Sequence, residues 1–195
     1  MADASQDIEC TTFQEGLECF HRRSFLKSYR LFLKSANQGR VVAKTMLAFS
    51  YELGLGTSKS IPDAMHWYRE ASEGGNSDAL NNLALLHQDE FQFQKAEECL
   101  LKAAASNNSV AQYNLGNMYA EGTGVKRDYI KAMKWYSRAA SAGNINAIFR
   151  MGYLNEMGLG TTRDAVGAAK WYYMAANRGS VIAEEYLARL YHTDP

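Results

Sequence analysis

The sequence predicts an all-α protein, a right-handed superhelical α/α solenoid of two-helix repeats. Three observations predict it. An alanine-led pattern returns at Ala43, Ala79, Ala111, Ala147 and Ala183, at spacings of 36, 32, 36 and 36 residues, and a fixed period of this length marks stacked repeats. A Gly-x-Gly segment occurs as "ELGLGTS" (52–58), "AEGTGVK" (120–126) and "EMGLGTT" (156–162). Only two prolines occur, Pro62 and Pro195, while good helix formers abound and runs of Val, Ile and Thr are absent, which favours helix over strand.

The first helix of each unit opens on those alanines. Four positions later stand Leu47, Leu83, Leu115, Met151 and Leu187, followed by the small residues Ala48, Ala84, Gly116, Gly152 and Ala188. A small residue there lets the paired helix approach closely. Three further on come Tyr51, His87, Tyr119, Asn155 and Tyr191. The second helix carries Ala64, Ala96, Ala132 and Ala168, then Trp67-Tyr68, Cys99-Leu100, Trp135-Tyr136 and Trp171-Tyr172. From Tyr129 the apolar residues fall at 129, 132, 133, 136, 139 and 140, the stripe of an amphipathic helix. The ring pairs recur in the helix–helix seam of each well-matched unit, which reads as core packing. Cys99 is expected to be a buried thiol, and His87 to pack in a slot held elsewhere by tyrosine.

Termini follow the same logic. Asp128, Asp164 and Ser60 stand at helix N-caps, Ser60 and Asp63 form a capping pattern, and Pro62 is tolerated in the first turn. Units close on Gly39, Gly75, Asn107, Gly143 and Gly179, residues suited to a left-handed position after a helix. The Gly-x-Gly segments lie between first and second helices, and "HQDEFQFQK" (87–95) bridges its helices without glycine. A phosphate-binding loop would be neither triplicated nor optional, so these segments read as connectors.

Composition narrows the function classes. Lys plus Arg and Asp plus Glu each number 21, so no net field draws nucleic acid or an anionic membrane. No segment is long and apolar enough to span a bilayer, and the N-terminus lacks the features of a leader. Three cysteines, Cys10, Cys19 and Cys99, form no close pair, which fits a reducing, cytoplasmic setting. His21, His66, His87 and His192 fall in different units, and no nucleophile motif accompanies them. No catalytic residue, metal ligand or cofactor is expected, and the chain reads as a non-enzyme.

"AQYNLGNMYAEGTGVKRDYIKAMKWYSRAASAG" (111–143) resembles the Sel-one-like repeat family, a relative of the tetratricopeptide repeats. The units from 43 and 147 match well, and the unit from 79 departs in its short loop and Cys99. Residues 11–42 resemble a degenerate first repeat, with Phe13, Gly16 and Gly39 in register and Glu15 where leucine is expected. The chain then divides as one repeat domain: 11–42, repeats 43–78, 79–110, 111–146 and 147–182, and a capping helix from 183 to 195.

The resemblance implies a non-catalytic scaffold or adaptor, a regulator or inhibitor, whose first helices line a concave face. Carried across by register, that groove holds Thr45, Phe49 and Glu52, then Asn81, Leu85 and Gln88. Tyr113, Asn117 and Glu121 follow, and last Phe149, Tyr153 and Glu156. The expected partner is a protein or peptide, basic or neutral, with no nucleic acid or membrane. An alternative is a structural subunit that binds through its convex face or terminal helix. Tyr186 and Leu190 are then candidates for self-association of an otherwise monomeric chain. The β-lactam-binding hydrolases of the family's cysteine-rich branch are the third reading, and the paired cysteines that branch requires are missing.

Overall fold

The computed structural model describes residues 2–193, with side chains described from 11 to 190. The side chains of Cys10, Tyr191 and His192, and all of Pro195, lie outside the described residues. Eleven helices and no strand occur among the described residues. One compact unit, Met1–Glu90, holds α1 (Ala2–His21), α2 (Phe25–Asn37), α3 (Val41–Leu53), α4 (Ile61–Glu73) and α5 (Ser77–Asp89). The other, Phe91–Pro195, holds α6 (Phe93–Ala105), α7 (Ser109–Glu121), α8 (Tyr129–Ser141), α9 (Ile145–Met157), α10 (Ala165–Ala176) and α11 (Val181–Thr193). Within each unit every helix packs on its sequence neighbour, the arrangement of an α/α solenoid.

Capping follows the sequence. The side chains of Ser60, Asp128 and Asp164 accept hydrogen bonds from the backbone N–H of Asp63, Lys131 and Gly167. Asn76, Asn108 and Asn144 do the same for the first helices, bonding Ala79, Ala111 and Ala147 at 2.8–2.9 Å. Asn107 adopts φ 59°, beside closing glycines at 86–93°. Two of the connections from a first to a second helix are short, those before α2 and α6. Each places a non-glycine residue in the left-handed region, Arg23 at φ 58° and Phe91 at φ 57°.

The second glycine of each long connector marks a close approach. A Cβ on Gly124 would lie 2.0 Å from Phe93 Cβ, and one on Gly56 2.1 Å from the Phe25 carbonyl oxygen. The connector therefore rests on the start of the preceding unit's second helix. These glycines have a packing duty and a conformational one, both structural.

In the seam between paired helices, Phe32, Tyr68, Leu100, Tyr136 and Tyr172 are fully buried. A Cβ on Gly116 would meet the Tyr136 ring at 2.4 Å, and one on Gly152 the Tyr172 ring at 2.7 Å. The tyrosines fill the seam, whereas Trp67, Trp135 and Trp171 are half-buried against its edge. Cys99, at the tryptophan position, is accordingly half-buried and not the fully buried thiol that the sequence suggests. His87 is buried.

Candidate functional site

The first helices of the repeats place the groove candidates, and burial sorts them. In the unit Met1–Glu90, Phe49 is half-buried with its ring 6.2 Å from Phe20. Thr45 donates to the Val41 carbonyl at 3.4 Å, one turn back on α3. Glu52 accepts a 2.7 Å bond from the Tyr68 hydroxyl. Asn81 is buried on α5, Leu85 is exposed and Gln88 is half-buried.

In the unit Phe91–Pro195, α7 and α9 bring a denser set together. The Tyr113 ring lies 5.8 Å from Tyr136, and the Tyr136 hydroxyl donates to Asn117 Oδ1 at 2.7 Å. Arg150, absent from the sequence-derived set, lies on α9, where Tyr113 favours its charged form. Arg150 and Tyr153 line a recess of about 130 Å³ with Tyr129, Tyr136 and the exposed Glu121. Glu121 lies one residue past the position matching Glu52, Gln88 and Glu156, which is Ala120.

Glu156 is buried and already engaged. It accepts from the Tyr172 hydroxyl at 2.7 Å and from Arg189 at 2.6 Å. Phe149, Tyr153 and Tyr172 surround Tyr186 with ring centroids 5.1–6.4 Å away, and Arg189 caps that ring at 4.3 Å. Tyr186 and Leu190 are half-buried, packed on the α9–α10 cluster. Among the described residues of α11, Val181 and Ile182 are the exposed large apolar side chains.

Burial pushes the Tyr68, Tyr136 and Tyr172 hydroxyls well above the ordinary tyrosine range, and the Glu52 and Glu156 carboxylates reinforce it for Tyr68 and Tyr172. These hydroxyls stay protonated donors at any physiological pH. Burial opposes the Arg150 charge, but bonding to Tyr113 and the field of Glu121 more than offset it, raising its pKa. The recess therefore presents a fixed cation, phenolic oxygens and one carboxylate. That set can hydrogen-bond a polar peptide group, and the sequence reading missed its centre because it sampled other positions of the helix. Arg150 follows Phe149 directly, at the site of Met46, Asn82 and Asn114, and a lone arginine in that series is its only sequence signal.

No group of three or more His, Cys, Asp or Glu that could hold a metal occurs among the described residues. No helix among them is long and apolar enough to cross a membrane.

Comparison with known proteins gives a consistent picture. The Sel1 repeat model matches residues 13–39, 41–76, 77–108, 109–144 and 145–180. The chain is 34% identical over 115 residues to the chitin synthase regulator SKT5 of Saccharomyces cerevisiae, covering 54% of this chain and 16% of that protein. It thus spans less than a fifth of that relative's length. The solved Sel1 repeat protein of Oxalobacter formigenes superposes with a TM-score of 0.85 at 27% identity, over 94% of this chain and 78% of that one. The protective antigen c5321 of uropathogenic Escherichia coli gives 0.80 at 27% identity, over 98% and 43%.

Proposed function

This chain belongs to the Sel1 repeat family, and from that premise we propose that it is a non-catalytic scaffold that regulates a protein partner. The partner segment is held on the first-helix face of the unit Phe91–Pro195. The observation that carries this reading is the recess around Arg150. The half-buried Arg150, with Tyr129, Tyr136 and Tyr153 beside it and the exposed Glu121 in the same recess, offers both donors and acceptors. Such a mixed set suits the amide groups of an extended peptide, and aromatic residues with arginine are the side chains that dominate binding energy. Tyr113, Asn117, Glu121, Phe149 and Tyr153 belong to this surface, and Glu156 holds it in shape, while Glu52, bonded to Tyr68, and the buried Asn81 belong to the other unit. Thr45, Phe49, Leu85 and Gln88 form the corresponding face of the other unit. The name of the yeast relative, a chitin synthase regulator, supports the regulatory part of the reading. The setting proposed is the cytoplasm.

Affinity capture from native lysate, with wild type beside an Arg150→Ala/Tyr153→Ala variant of equal helicity, tests the assignment. Loss of the captured protein in the variant is expected. Undiminished capture would move the site elsewhere.

Exposure of Val181 at 65% and Ile182 at 57% favours a second reading, self-association through α11. Sedimentation of the wild type against Ile182→Glu separates the two: the scaffold reading expects a monomer in both cases.

A further inference from the structure

We infer that the solvent-facing side of α2 is a docking surface for a short acidic protein segment, separate from the first-helix face. Charge is distributed unevenly along this neutral chain. Residues 19–51 contain seven Lys and Arg and no Asp or Glu, leaving 14 basic against 21 acidic residues elsewhere. Two of the seven are engaged: Lys44 pairs with Glu70 at 2.9 Å, and Arg40 lies 4.5 Å over the Phe13 ring. Arg22, Arg23, Lys27, Arg30 and Lys34 are exposed, with neither an ion pair nor a ring contact among the described residues.

Three of these form a line on α2. Lys27, Arg30 and Lys34 follow the i, i+3, i+7 spacing of one helical face, and Arg23, in the connection before the helix, adjoins Lys27 and Arg30 at the same recess. Leu26, 55% exposed, lies beside them in a shallow recess with Phe25. Like charges at this spacing repel one another and weaken the helix, and no ion pair among the described residues offsets them. At α8, by contrast, Lys131 and Arg138 lie over the rings of Tyr119 and Trp135, and Arg127, just before the helix, over that of Tyr129.

The size of the stripe selects the partner. At physiological salt attraction extends about 8 Å, so only groups seated on α2 feel it. A nucleic-acid duplex or an anionic bilayer would reach past α2 to the acidic remainder of the chain. Single strands need exposed aromatic platforms, and Phe25 is half-buried. One exposed leucine is too little to insert into a membrane, yet enough to meet one apolar side chain of a peptide. A segment with carboxylates on one helical face and a leucine beside them complements the stripe.

The test is fluorescence anisotropy with a labelled peptide bearing Glu at i, i+3 and i+7 and one leucine. Binding that weakens as salt rises is expected, together with a loss of roughly tenfold or more in Lys27→Glu/Arg30→Glu/Lys34→Glu. The single variant Arg30→Glu, expected to lose about threefold, keeps the test open should the triple variant fold poorly. Arg150→Ala/Tyr153→Ala is expected to bind the peptide as wild type does, which separates this surface from the groove. No binding, or equal binding by the α2 variants, would overturn the inference. So would tighter binding of a short DNA duplex or of phosphatidylserine vesicles than of the peptide.

Discussion

Two serine hydroxyls in α2, Ser28 and Ser35, are buried at 1% and 0% exposure with no hydrogen-bond partner. The equivalent positions one repeat later are Ala64 and Ala71, both fully buried. A buried hydroxyl without a partner keeps its desolvation cost, so Ser35→Ala is expected to stabilise the fold by about 1–2 kcal/mol in urea denaturation. Unchanged or lower stability would mean that the hydroxyl is satisfied in solution. Glu156 makes the opposite case. Its carboxylate receives Tyr172 and Arg189 in a buried setting, and hydrogen bonds to charged groups are the stronger kind. Tyr172→Phe is expected to cost about 1.5–3 kcal/mol, and the same change at Tyr68 less, because Glu52 is half-buried and can turn to water. None of this was legible in the sequence, where Glu156 and Glu52 look alike. Their difference lies in what α11 adds: Arg189 reaches Glu156 from 33 residues away.

At the scale of the helix and its connections, most of the fold was readable. Period, caps and closing glycines have local causes, so Ser60, Asp128, Asp164 and Asn107 behave as their residue types dictate. The asparagine caps at 76, 108 and 144 were equally readable, three residues before each opening alanine. Arg23 was not: the first unit has so little sequence pattern that its short connection, twin of the one through Phe91, is recognisable only in space. Phe91 is 80% exposed at φ 57°, a backbone conformation that costs a non-glycine residue about 1–2 kcal/mol. Phe91→Gly is therefore expected to raise the thermal midpoint, and a fall would show that packing of the Phe91 ring on Phe93 outweighs the strain. Two glycines separate strain from crowding. Gly143 at φ 86° has nothing within 4 Å of a built Cβ, whereas Gly124 would meet Phe93. Ala at 124 is expected to destabilise more than Ala at 143, by about 1–3 kcal/mol for the added overpacking.

For the molecule as a whole, pH and partner binding are the informative variables. Tyr68, Tyr136 and Tyr172 have folded-state pKa values raised above the ordinary value of 10.0, with burial the first cause of each. A raised folded-state value gives stability that is fully present below pH 10 and is lost as pH rises toward the folded-state value. Unfolding free energy should thus be level toward neutral pH and fall on the alkaline side, with these hydroxyls ionising only as the protein unfolds. A tyrosinate absorbance titration in which all 12 tyrosines ionise near pH 10 without unfolding would contradict it. The candidate site was legible only in part. Register supplied Tyr113, Asn117 and Tyr153, but Arg150 required knowledge of which side chains share a recess. The measurement closest to the central claim is hydrogen exchange of the chain alone and bound to its captured partner. The scaffold reading predicts slowed exchange within 113–121 and 149–153. Protection confined to α10 and the outer side of α11, with those segments unchanged, would contradict it.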